Sequence, residues 1–176
     1  KSHDPSLVSG QDNLQSYRPH PQLLLRGQKD DLLIDLFRIM AASLTCHGIL
    51  EVSLEEKEMA NKMITLGLSS YFHIRHETNE ELIKRLEKEQ IKRVRLIHLP
   101  APPLLTSLAK SACRLNVGGV LANGRIELLH HLREVSISID YHRYGNLGAR
   151  EKERRRPLPG SKDENEDIKC KGCSCQ

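Results

Sequence analysis

What this chain has little of bounds what it can do. It has no Trp and only 3% aromatic residues among 176, too few for the stacking platforms that hold single-stranded nucleic acids. Its net charge of +4 is modest, and the charges are dispersed, which argues against a nucleic-acid partner. No apolar run approaches the roughly 20 residues that cross a bilayer as a helix, and the start lacks a secretory signal pattern. The chain opens on Lys1 and not on Met, as expected of a fragment of a longer protein or of a chain that has lost a leader such as an organelle transit peptide. Cysteine is sparse and odd in number, five in all, which points to a reducing compartment and not to a disulfide framework.

What is present is a rhythm. With 38% hydrophobic residues, the length suits one domain with a sizeable core. After a polar, turn-rich stretch at 1–21, read as an extended arm, apolar runs alternate with helix-period stripes. Gln22 to Arg26 reads as a buried strand. Asp30 and Asp31 stand where a helix starts, before Leu32, Leu33, Leu36, Phe37, Met40 and Leu44, and Gly48 is placed to stop it. Ile49 to Ser53 is a second strand. Ser53 with Glu56 has the capping-box spacing ahead of a helix over Leu54 to Leu66, ended by Gly67. Ser69 to Arg75 is a third strand, and Thr78 with Glu81 a second capping box. Arg93 to Leu99 is a fourth strand, followed by a helix over Leu104 to Leu115 with Pro103 in its first turn. Val117 to Leu121 is a fifth. The expected architecture is α/β: a Rossmann-like parallel five-stranded sheet over 22–134 with helices on both faces.

The segment after Gly124 organises the rest. Arg125 to Glu134 reads as a helix with Ile126, Leu128, Leu129 and Leu132 largely on one face. Then Val135, Ile137, Ile139 and Tyr141 alternate with Ser136, Ser138 and Asp140, the period of a half-buried strand. His142, Arg143, Tyr144 and Asn146 follow in a turn-prone hook. This strand and hook, 135–149, is expected to be a flap that meets a protein partner, because an uncovered apolar strand is a pairing template. The alternative is a strand tucked into the domain's own sheet. Residues 150–176 form an irregular charged tail without a periodic apolar face.

Candidate chemistry is thin. A dinucleotide site needs GxGxxG after the first strand; here that turn is Arg26-Gly27-Gln28-Lys29-Asp30, with acidic residues where a pyrophosphate needs donors. Gly118 and Gly119 suit close packing. Cys46 and Cys113 read as free buried thiols in apolar, helical surroundings, and His130 and His131 as a solvated helix face. Cys170, Cys173 and Cys175, spaced C-x2-C-x-C, have the soft-ligand chemistry for zinc or copper, with a fourth ligand needed from elsewhere; the alternative is a disordered thiol-bearing tail. No catalytic residue and no organic cofactor is expected.

Three stretches carry a family resemblance: Ser9 to Pro19 (SGQDNLQSYRP), Gly48 to Glu55 (GILEVSLE) and, most specifically, Val120 to Gly148 (VLANGRIELLHHLREVSISIDYHRYGNLG). From about Gly10 to Leu147 the chain resembles the C-terminal domain of proline utilization A, the bifunctional proline dehydrogenase and L-glutamate γ-semialdehyde dehydrogenase. It departs where the family commonly has Gln and this chain has Val135, and in the tail after Gly148. The resemblance implies a domain of aldehyde-dehydrogenase-superfamily fold without the catalytic cysteine or the cofactor loop. It implies further that the closing segment covers an aldehyde dehydrogenase active site and helps seal the tunnel between two active sites. The partner is then an aldehyde dehydrogenase domain, in the mitochondrial matrix if the source is eukaryotic and in the cytoplasm if bacterial. An independent accessory subunit of a larger assembly is the rival expectation, and an active NAD-dependent enzyme the control.

Overall fold

A computed structural model of the chain describes residues 2–142, 144–153 and 155. The chain divides into two compact units, Arg18–Arg133 and a second built from Lys1–Tyr17 with Glu134–Gln176. The strands are β1 (Gln11–Pro19), β2 (Leu23–Gly27), β3 (Leu50–Leu54), β4 (His73–His76), β5 (Arg93–Leu96), β6 (Arg114–Val117) and β7 (Leu132–Asp140). The helices are α1 (Leu33–Thr45), α2 (Lys57–Thr65), α3 (Asn79–Lys88), α4 (Pro102–Lys110) and the single turn α5 (Gly124–Glu127).

The larger unit is a Rossmann-like sheet in the order β4-β3-β2-β5-β6, every neighbouring pair parallel. Its first strand, β2, is buried along its whole length, as a central parallel strand covered on both faces must be. Leu23 and Leu25 join Leu36, Ile39, Val52 and Met63 in one core cluster, while Leu24 joins Leu82, Leu86, Val94, Leu104 and Leu108 in another. The pleat thus sends alternate residues of β2 into two cores, one built with α1 and α2 and the other with α3 and α4.

Helix ends show which local signals were decisive. At α3, Thr78 Oγ1 accepts from the Glu81 N–H and a Glu81 carboxylate oxygen accepts from the Thr78 N–H, the reciprocal capping box expected. Pro102 and Pro103 occupy the first turn of α4, where a missing N–H costs nothing. Gly67 takes φ +76° just beyond α2. Other signals were overridden. Ser53 caps nothing: it is fully buried in β3, its hydroxyl accepting at 2.8 Å from Arg26, and α2 starts after Glu56 without a side-chain cap. Asp31 does not cap α1, whose N-cap is Leu32. Gly48 is not the left-handed stop after α1; His47 takes that conformation, at φ 54°. Cys46 closes α1 and Cys113 stands between α4 and β6, so both are half-buried thiols at element ends and not within helices.

The segment after Gly124 differs most from expectation. It is not one helix to Glu134: α5 gives way to a 3-10 turn at Leu128–His130, and β7 begins at Leu132. The buried face is inverted. Ile126 and Leu129 are exposed, while Glu127 and His131 are buried.

In the smaller unit, the stretch read as an arm contains β1, which pairs with β7 in a two-stranded sheet separate from the parallel one. The pairing is antiparallel: the Tyr141 N–H donates to Gly10 O, Gln11 meets Asp140 and Asn13 meets Ser138. The strand is therefore not tucked into the parallel sheet.

Candidate interaction surface

β7 carries the alternation that singled it out, and much of its apolar face is uncovered. Val135 is half-buried, Ile137 is 50% exposed and Ile139 48%. Among the described residues β7 forms a ladder on one side only, with β1. Tyr141, just beyond it, is the anchor of the hook. Its hydroxyl accepts from the Gly10 N–H at 3.0 Å, and the Arg150 guanidinium stacks 3.9 Å from its ring centre. His142 packs against Gly10, whose positive φ of +90° only glycine adopts without strain, and a Cβ there would stand 2.9 Å from the His142 ring. Asn146 accepts from the Gly148 N–H, and Tyr144 is exposed. Arg143 lies outside the described residues, as do Cys170, Cys173 and Cys175.

Sequence reasoning missed what holds this hook. Arg150 makes a two-bond fork to Asp12, at 2.8 and 2.9 Å, and Arg155 bonds both Asp4 and Asp12. The fork from Arg150, joined by Arg155, keeps the Asp12 carboxyl below its ordinary range, and Asp12, then Glu153, raises Arg150. Asp4 is lowered chiefly by the Leu7 N–H. The start of the supposed irregular tail is thus tied down at Arg150 and Arg155. Complementary charge was the signal, but the partners are 138 residues apart in sequence.

In a doubly wound sheet, ligands bind beyond the carboxyl ends of the strands where the order reverses, which here lies between β2 and β5. Its residues are engaged with one another. Asp31 accepts from the Gln28 N–H at 2.8 Å and pairs with the His98 ring at 2.8 Å, and the Gln28 amide donates to the His98 carbonyl. Gly27 serves packing: a Cβ there would meet Leu54 at 2.6 Å.

Beside it lies a buried charge cluster that the sequence did not announce. Arg95, fully buried, donates to the carbonyls of Leu96 and Gly118 and pairs with Glu127 at 3.4 Å. Glu127 also accepts from the Leu121 N–H. Gly118 and Gly119 therefore serve Arg95 with their carbonyls, not close packing, since a Cβ on either would touch nothing within 4 Å. Arg26 is likewise buried and bonded to Ser53, the Glu77 carbonyl and Asn79. His131 is buried with both ring nitrogens lacking a hydrogen-bond partner among the described residues, and burial pushes it down to about 4. Burial also pushes the Cys46 thiol up. Among the described residues no group of three or more His, Cys, Asp or Glu is placed to hold a metal, and no helix is long and apolar enough to cross a membrane.

No family profile matches the sequence, and no characterised protein matches it by sequence. Among solved structures, the chain is similar to proline utilization A (PutA) from Corynebacterium freiburgense, with a TM-score of 0.47 and 25% identity. That similarity covers 77% of this chain and 11% of the other, so the chain spans only a small part of that protein's length.

Proposed function

We propose that this chain is a non-catalytic structural and interaction domain, akin to the C-terminal domain of proline utilization A, which covers an aldehyde dehydrogenase domain with β7 and the hook. One observation carries the reading: Ile137 and Ile139 are half exposed on a strand that, among the described residues, is paired along one edge only. An apolar strand beside an open row of backbone donors and acceptors is a template for another chain or domain. The network of Arg150, Arg155, Asp4 and Asp12 holds the hook in place before any partner arrives, which lowers the ordering cost of association. The sequence resemblance from Gly10 to Leu147 supports the nature of the partner. The mutual bonding of Gln28, Asp31 and His98 at the switch point supports a role without chemistry there.

The test is reconstitution. The chain is mixed with a proline utilization A lacking its C-terminal domain, and sedimentation reports the complex. A stable complex is expected, with no NADH formed by the chain alone from NAD and L-glutamate γ-semialdehyde. Failure to associate, or NADH formation by the chain alone, would contradict the proposal.

A further inference from the structure

The amino ends of the strands, opposite the switch point, carry a second feature. Arg93 and Arg114 open β5 and β6 and are register partners, and the Arg114 N–H donates to Lys92 O at 2.8 Å. With Arg133 and the buried His20 they line a cavity of about 400 Å³, within the roughly 300–1,000 Å³ of small-molecule sites. Lys92 lines it too, so four cations, Lys92, Arg93, Arg114 and Arg133, converge on one hollow. Elsewhere in the larger unit, Arg26, Arg85 and Arg95 are bonded to carboxylates, amides or carbonyls. Here, among the described residues, no carboxylate pairs with Lys92, Arg93, Arg114 or Arg133. Burial and then Arg114 lower Arg93, and burial followed by Arg93, Arg133 and Arg114 lowers His20. Like charges held together without a counter-ion destabilise a fold, so a purely structural role would place an Asp or Glu among them.

We infer that this cavity binds a small multivalent oxyanion, the phosphate or pyrophosphate group of a metabolite. Two guanidinium groups on adjacent strands can each present a planar fork to phosphate oxygens, with Lys92 and Arg133 adding charge.

Calorimetry on the full chain at low ionic strength, with inorganic pyrophosphate as the probe, tests the assignment. Binding of one pyrophosphate per chain is expected. Arg114→Gln should weaken it about tenfold and Arg93→Gln with Arg114→Gln about a hundredfold, a factor of ten per charge-assisted contact. Lys57→Gln with Lys62→Gln, on the exposed side of α2, should leave it unchanged. Without pyrophosphate, Arg114→Gln should hold or raise the thermal midpoint, because repulsion is relieved. Any of four results would overturn the inference: no binding to the wild-type chain at about 1 mM, equal loss in the α2 variant, tighter binding of citrate than of pyrophosphate, or a clear fall in midpoint for Arg114→Gln.

Discussion

His131 makes the stability of the larger unit depend on pH. Its side chain is 2% exposed, neither ring nitrogen has a hydrogen-bond partner among the described residues, and burial holds its pKa at about 4 against an ordinary 6.5. Glu127 opposes that shift and Arg95 adds to it. Above pH 6.5 the imidazole is neutral in both folded and unfolded chains, so its contribution is whole. As pH falls from 6.5 towards 4, the unfolded chain takes up a proton that the folded chain refuses, and stability drops by up to about 1.4 kcal/mol per pH unit. Over the full interval the loss reaches ~3 kcal/mol. Urea unfolding at pH 7.5, 6.0 and 5.0 measures it, with His131→Phe as the comparison. The variant still contains His20 and the carboxylates, so the difference between the two pH profiles isolates His131. A wild-type profile steeper by close to one proton below pH 6.5 is expected. Superimposable profiles, or an imidazole that titrates near 6.5 by NMR in the folded chain, would mean that His131 is not held neutral by burial.

Gly27→Ala should destabilise the chain by ~1–3 kcal/mol, because the added methyl overlaps Leu54 in a closed core; a denaturant midpoint equal to wild type would remove Gly27 from that role. Thr78→Ala should cost ~1 kcal/mol through loss of the capping box, read by the same titration. Glu127→Gln leaves Arg95 buried without its charge partner and should cost ~3–5 kcal/mol. Arg95→Met combined with Glu127→Leu should cost less than the two single changes added together, a comparison a double-mutant cycle makes directly.

The alternation of strand and helix was legible because a parallel sheet demands short apolar runs separated by amphipathic helices, and β2 and α3 carry those signals without conflict. Legibility failed wherever a buried charge took precedence over local pattern. Ser53 has the sequence of a cap and instead meets Arg26 inside the sheet. Glu127 and His131 are buried where Ile126 and Leu129 were expected; for Glu127 the reason is Arg95, which requires a counter-charge that greasy residues cannot supply. Nothing near Arg95 in the chain identifies Glu127, 32 positions away. At the surface, the period-two alternation located β7 but not its partner. β1 was masked by the prolines and polar residues around it, and the charge pairs that fix the hook join opposite ends of the chain. The metal reading of Cys170, Cys173 and Cys175 concerns positions outside the described residues.

The proposed role of β7 is to face a partner. Ile137→Asp combined with Ile139→Asp tests it, read by binding to the aldehyde dehydrogenase domain of proline utilization A alongside circular dichroism and thermal unfolding. Each isoleucine is about half exposed in the chain by itself, so covering the remainder should contribute roughly 1 kcal/mol apiece, and seating two carboxylates in the contact adds a larger penalty. Partner binding should disappear while the circular-dichroism spectrum and the thermal transition persist, because neither residue belongs to the cores of the parallel sheet. Undiminished binding, or loss of the folded spectrum and its transition, would contradict it.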